Sequence, residues 1–129
     1  MTMNQEFIKD LSNPDVIERI WQKALSVDGY DSSLYRKDFA DAWIARDSYG
    51  DCNSPFGWEI DHVYPVSLGG DNHLVNLRPM NCRNNKSKGD SYPHYIAVVT
   101  SEENRNIEKE VSCTVGIKLQ EVLKVLYNL

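Results

Sequence analysis

The sequence predicts a single α+β domain, and three observations predict it. Amphipathic runs at helical spacing lie near both ends: Val16, Ile17, Ile20, Trp21 and Leu25 in the first, Leu119, Val122, Leu123 and Leu126 in the last. Between them, from Gly57, apolar and polar residues alternate as in strands and then give way to glycine-rich turns. A chain of 129 residues, 41% of them hydrophobic, is long enough to bury one core and too short for two. Residues 1–129 are therefore read as one domain, with a helical extension over 1–56, a central unit over 57–90 and a strand and helix over 91–129.

The first helix is expected from Pro14 to Leu25. Ser12 and Asn13 offer an N-cap, Pro14 suits the first helical position, Asp15 is an acid in the first turn, and Asp28-Gly29 marks the exit. A second helix is expected over 34–47, with Phe39, Ala42, Trp43 and Arg46 on one side, followed by a loop through Tyr49-Gly50-Asp51 and Asn53-Ser54-Pro55. Trp58, Ile60 and His62 alternate with Glu59, Asp61 and Val63, which predicts a strand. Pro65 and Gly69-Gly70-Asp71-Asn72 make a long turn, 74–77 returns as a second strand, and Pro79 is expected to stop it. A short helix over 81–88, closed by Gly89, is so polar that no hydrophobic face explains it. Residues 95–100 read as a strand, 101–114 are charged and indeterminate, and an amphipathic helix covers 115–127.

Composition narrows the class. The longest apolar run, 95–99, is far too short to span a membrane, and the opening MTMNQEFIKD has neither the basic nor the apolar region of a secretory leader. A cytoplasmic location without membrane attachment is expected. Cys52, Cys82 and Cys113 are odd in number, widely spaced and form no C-x-x-C, so small free thiols are expected and not a zinc clip or a disulfide framework. The formal charge of −5 weighs against general nucleic-acid affinity. Within 78–88, however, stand four bases, Arg78, Arg83, Lys86 and Lys88, and no acid, a run that makes a local basic patch.

The central unit carries the chemistry. Adjacent strand residues point to opposite faces, so Asp61 and His62 can serve one site only where the strand ends or bends, and Pro65 supplies a bend. With the short helix laid across the strands, the Asn85 amide oxygen approaches the Asp61 carboxylate, an oxygen pair suited to Mg²⁺ or Mn²⁺. His62 beside it, neutral, can take a proton from water near pH 7. Taken singly, Asp61, His62, Asn76 and Asn85 have ordinary structural roles; together with an unusually polar helix and a basic run they point to a site. His73 and His94 fit no motif position.

The stretch GWEIDHVYPVSLGGDNHLVNLRPMNCRNNKSKGD, residues 57–90, resembles the HNH endonucleases of the ββα-metal fold. The D-H pair, the G-G-D, the N-L-R-P and the final N-N-x-x-K-G-D fall in that family's order and spacing. The resemblance implies an α+β fold with a ββα-metal core, N-terminal helices and a C-terminal amphipathic helix. It makes His62 the general base, Asp61 and Asn85 metal ligands, Asn76 the brace of the loop that carries the base, and Lys88 a basic residue near the substrate backbone. Trp21-x-Lys23, Gly29-Tyr30-Asp31, Tyr35-Arg36-Lys37-Asp38 and Tyr49-Gly50-Asp51 are similar to a bacterial subgroup. The paired C-x-x-C zinc sites of many relatives are missing, which implies a fold held by packing alone. The implied activity is hydrolysis of phosphodiesters in DNA, or RNA, with one divalent cation, Arg78, Arg83, Lys86 and Lys88 contacting phosphates. Two rivals are a metal-finger module that binds nucleic acid without cutting, and a nuclease subunit active only with a protein partner such as an immunity protein.

Overall fold

Among the described residues each strand pairs with its neighbour in sequence, so three antiparallel hairpins, and not one continuous sheet, are set among three helices. The computed structural model describes residues 6–129. Its elements are α1 (Pro14–Trp21), β1 (Tyr35–Lys37), β2 (Trp43–Ala45), β3 (Trp58–His62), β4 (Leu77–Asn81), α2 (Cys82–Lys88), β5 (His94–Glu102), β6 (Arg105–Thr114) and α3 (Ile117–Tyr127), with 3-10 turns at Arg46–Ser48, Val66–Leu68 and Leu74–Asn76. Residues 1–5, part of the opening read for a leader, lie outside the described residues. Among the described residues no helix is long and apolar enough to cross a membrane.

Asn13 starts α1 as its residue type predicts, its side chain accepting the Asp15 N–H at 2.8 Å. The helix stops at Trp21 and does not reach Leu25. Tight turn bonds from Lys23 N–H to the Ile20 carbonyl and from Ala24 N–H to the Trp21 carbonyl break the ladder, after which Leu25 exchanges two hydrogen bonds with Lys37.

The helix expected over 34–47 is instead the β1–β2 hairpin, so the described part of the N-terminal extension has one α-helix and a hairpin. Asp38 is the reason. Its Oδ1 accepts the N–H groups of Ala40 and Ala42, both at 2.9 Å, which closes a turn with Asp41 in the left-handed region at φ 65°. Trp43 and Ile44, which favour extended backbone, continue from it.

The second strand of the central unit is also shifted. Leu74–Asn76 is a 3-10 turn, and β4 runs through Pro79 to Asn81. Hydrogen bonds from Val63 N–H to the Asn76 carbonyl and from Cys82 N–H to the Gly57 carbonyl bracket the hairpin in one register. Bonded pairs therefore fall on Asp61/Arg78 and Glu59/Met80, and Pro79, opposite Ile60, occupies a non-bonded position where no N–H is needed. The two faces of this hairpin enter different cores. Trp58, Ile60 and Leu77 pack with Ile8, Ile20, Trp21 and Ile44, while Met80 joins Val63, Tyr95, Val115 and Leu123.

Residues 101–114, indeterminate in sequence, form the turn and return strand of the long β5–β6 hairpin. The charged run Glu108-Lys109-Glu110 lies on an exposed stretch of β6, which masks the alternation that marks strands. Cys52 and Cys82 form a disulfide, which corrects the expectation of free thiols and of packing alone; Cys113 is free. The strand pairing explains it, because Gly57 bonds Cys82 and so sets the loop preceding β3 against the first residue of α2.

Lys23, in the turn after α1, donates to the carbonyls of Leu74 and Leu77. It thereby clamps both ends of the turn that leads into β4. Burial, and secondarily the Arg19 charge, lowers its pKa to about 8. The unfolded chain keeps that proton to about pH 10.5, so this group makes stability rise with pH from about 8 upward. Half-buried Cys113 and buried Tyr95, whose pKa values are raised, act with the opposite sign as pH climbs further. Urea unfolding between pH 7.5 and 9.5 is expected to show a more positive slope of stability against pH in the wild type than in Lys23→Met; equal slopes would reject the assignment.

Candidate active site

The end of β3 opens a cleft on the α2 side of the hairpin. Asp61 pairs across to Arg78 and faces α2; His62 is the last residue of the strand, and the chain turns immediately after it. Asn76 holds that turn. Its Oδ1 accepts the Tyr64 N–H at 2.8 Å, and its Nδ2 donates to the carbonyls of Tyr64 at 3.0 Å and Asp71 at 3.1 Å. The bend lets two adjacent residues share one cleft of about 200 Å³, lined by Asp61, His62, Ser67, Asn85 and Asp90 among others.

Asp61 is only 3% exposed. Its Oδ1 lies 3.2 Å from Lys88 Nζ and its Oδ2 3.4 Å from Arg78 Nε. Lys88 also donates to the His62 carbonyl at 3.2 Å, so a single ammonium group ties together the backbone and the side chain of the Asp61-His62 pair. Burial lowers the Lys88 pKa, and Asp61 opposes that shift. The Arg78 guanidinium lies over the rings of Phe39 and Tyr95, at 5.0 and 5.7 Å from their centroids, and donates to the Tyr95 hydroxyl. The exposed run of four bases expected over 78–88 is thus corrected: Arg78 and Lys88 are buried beside Asp61. Arg83 and Lys86 remain at the surface, Arg83 paired with Glu108 at 2.9 Å.

Sequence reasoning missed the partner of His62. His62 Nε2 lies 2.8 Å from Asn72 Oδ1, an acceptor to which Nε2–H can donate, so that in the neutral ring Nδ1 carries the lone pair. Asn72 was legible only as a turn residue after Gly69-Gly70. That turn is held firmly. A β-carbon on Gly70 would overlap the Tyr64 carbonyl oxygen, and Asp71 accepts from the Tyr127 hydroxyl at 2.7 Å and pairs with His73 at 2.7 Å. His73 therefore belongs to the support of the loop and His94, bonded to Thr114, to the β5–β6 hairpin.

On α2, Cys82, Asn85 and Lys88 recur every third residue and face β3. The Asn85 Nδ2 donates to Glu59 Oε1 at 3.3 Å. Asn84, on the other side of the helix, is fully buried among Asp38 and β5. The polarity of this helix is explained by buried hydrogen bonds where a hydrophobic face would ordinarily be.

The residues present fit a divalent cation. Among the described residues Asp61 Oδ2 is a buried oxygen with no hydrogen-bond donor, the Arg78 contact being near enough for ion pairing but not aligned for a hydrogen bond. Asn85 and His62 line the same cleft, and carboxylate and amide oxygens are the donors that Mg²⁺ and Mn²⁺ take. A different group, Cys52, Glu59 and Cys82, brings potential ligand atoms within 4.8 Å of one another, but its two sulfurs are bonded together.

Residues 53–94 match the family model described as HNH endonuclease. The match spans the β3–β4 hairpin, α2 and the whole cleft, and HNH endonuclease segments indicate nuclease chemistry on nucleic acid. No curated protein and no solved structure matches the chain.

The two lysines of α2 should separate by stability. Lys88→Ala leaves a buried carboxylate short of a partner and is expected to cost about 3 kcal/mol or more. Lys86→Ala, at the surface, should stay within about 0.5 kcal/mol. Denaturant unfolding of both variants checks this; equal, small effects would place Lys88 outside the Asp61 network.

Proposed function

We propose, for a chain that carries an HNH endonuclease segment, that it is a metal-dependent endonuclease hydrolysing phosphodiester bonds in DNA. The observation that supports this most is the shared cleft, which Asp61, His62 and Asn85 line together. In this reading Asp61 and Asn85 hold a divalent cation, Mg²⁺ or Mn²⁺, which when bound neutralises charge on the scissile phosphate and on the departing 3′ oxygen.

The remaining work falls to side chains. His62, with Nε2 committed to Asn72, takes a proton from water at Nδ1, and the resulting hydroxide attacks phosphorus in line with the leaving oxygen. Asn76 keeps the loop carrying this base closed by bonding Tyr64 and Asp71. Arg78 and Lys88 act from within by fixing Asp61, and the exposed Arg83 and Lys86 contact backbone phosphates, which gives affinity without base selectivity.

Cleavage of plasmid DNA in Mg²⁺ or Mn²⁺, with metal binding measured in parallel, tests the assignment. His62→Ala should lose about 10² to 10⁴-fold in rate and keep its metal affinity. Asp61→Ala should lose both, and Asn85→Ala should be partly restored by excess metal. A folded His62→Ala protein that cuts at the wild-type rate would overturn the role of the base. A wild-type protein that binds metal and DNA but cuts neither DNA nor RNA would establish a binding module instead. In a salt titration, Arg83→Ala and Lys86→Ala should each make the slope of log affinity against log salt shallower by about 0.9; unchanged slopes would remove both from the interface.

A further inference from the structure

We infer that Glu59 is a positioning residue for the cleft: its carboxylate takes the amide nitrogen of Asn85 and thereby turns the amide oxygen toward the space that Asn85 shares with Asp61. The inference rests on the metal-dependent reading above and names a group that reading leaves unused.

The argument begins with the amide. An asparagine side chain has a donor end and an acceptor end of nearly equal size, and only the acceptor end can serve a cation. A free Asn85 would divide its time between the two orientations. A carboxylate accepts hydrogen bonds and donates none, so the Asn85 Nδ2 must be the end that meets Glu59 Oε1, as the 3.3 Å contact has it. Because Nδ2 and Oδ1 leave the same planar carbon in different directions, committing the nitrogen to Glu59 commits the oxygen to the other side.

The placement of Glu59 follows from the strand. Residues two apart on β3 share a face, so Glu59 and Asp61 both point toward α2, opposite Met80 and Arg78. Glu59 thus meets Asn85 while Asp61 meets Lys88, one helical turn further on. Glu59 is also confined from behind. Its carboxylate lies within 4.8 Å of the sulfurs of Cys52 and Cys82, and a disulfide offers no proton to compete with the Asn85 amide. Cys82 opens the same helix that carries Asn85, so this wall and the amide it faces belong to one rigid element.

Hydrogen-bond partners that orient ligands typically account for about tenfold to a hundredfold in metal affinity. Mn²⁺ binding to the protein without nucleic acid, followed by electron paramagnetic resonance, reads this directly. Glu59→Ala is expected to weaken Mn²⁺ binding about tenfold. In the Asn85→Asp background no amide needs orienting, so adding Glu59→Ala should cost nothing further, whereas a direct ligand or a simple attracting charge at Glu59 would still be missed there. The inference is overturned if Glu59→Ala binds Mn²⁺ as tightly as the wild type, or if the loss persists in Asn85→Asp. Asp61→Ala separates this inference from its premise. If Asp61→Ala keeps wild-type affinity, the metal-dependent reading itself fails; if Asp61→Ala loses binding and Glu59→Ala does not, only the role of Glu59 fails.

Discussion

A carboxylate wholly withdrawn from water decides where the second helix sits. Asp38 accepts four hydrogen bonds: from the N–H groups of Ala40 and Ala42 in its own turn, from the Asn81 N–H at 3.1 Å, and from Asn84 Nδ2 at 3.1 Å. Burial pushes its pKa up, and those bonds oppose the shift. Asn84 extends the network to β5, donating to the Val99 carbonyl and accepting the N–H groups of Val98 and Val99 where the strand pairing is irregular. One buried acid therefore joins the first hairpin, the start of α2 and the third hairpin. A helix of seven residues cannot sustain itself in water, so this anchorage substitutes for helical propensity.

The anchorage also aims the site. Successive helical residues are rotated by about 100°, so fixing Asn84 in the interior turns Asn85 toward β3. The disulfide at Cys82 and the Lys88 contact to Asp61 hold the two ends of the same helix face. From the opposite end of the chain, Tyr127 of α3 fixes Asp71, the residue before the Asn72 that bonds His62. Elements far apart in sequence thus meet at the cleft with few degrees of freedom left, which is what a site of fixed geometry demands.

Two cations on one buried carboxylate are a costly arrangement, because each charge must be stripped of water. The structure offsets that cost with the rings of Phe39 and Tyr95 over Arg78 and with the His62 carbonyl on Lys88. An apolar replacement would serve stability as well. What the ion pairs add is a fixed direction for the Asp61 carboxylate. They also mean that two of the bases counted in the basic run are internal, leaving Arg83 and Lys86 as its surface members.

Local chemistry in the sequence determined much of this. The Asn13-Pro14 start of α1, the alternation of β3, the closure of α2 at Gly89 and the amphipathic stripe of α3 each depend on residues within a turn or two of one another, and each is found close to where the pattern puts it. The grouping of Asp61, His62, Asn76 and Asn85 was legible through the resemblance of 57–90 to the HNH endonucleases, and the structure brings Asp61, His62 and Asn85 to one cleft with Asn76 bonding the turn beside it. Tertiary structure decided the rest. Residues 34–47 have helical spacing, but the Asp38 side chain competes for their backbone and finds its other donors at Asn81 and Asn84. The Cys52–Cys82 bond spans 30 residues and exists only because β3 pairs with β4. Whether a lysine or arginine faces solvent or a buried carboxylate depends on its height along a helix or strand and on what lies opposite. Lys86 and Lys88 are the same residue type two positions apart, and only packing against Asp61 tells them apart.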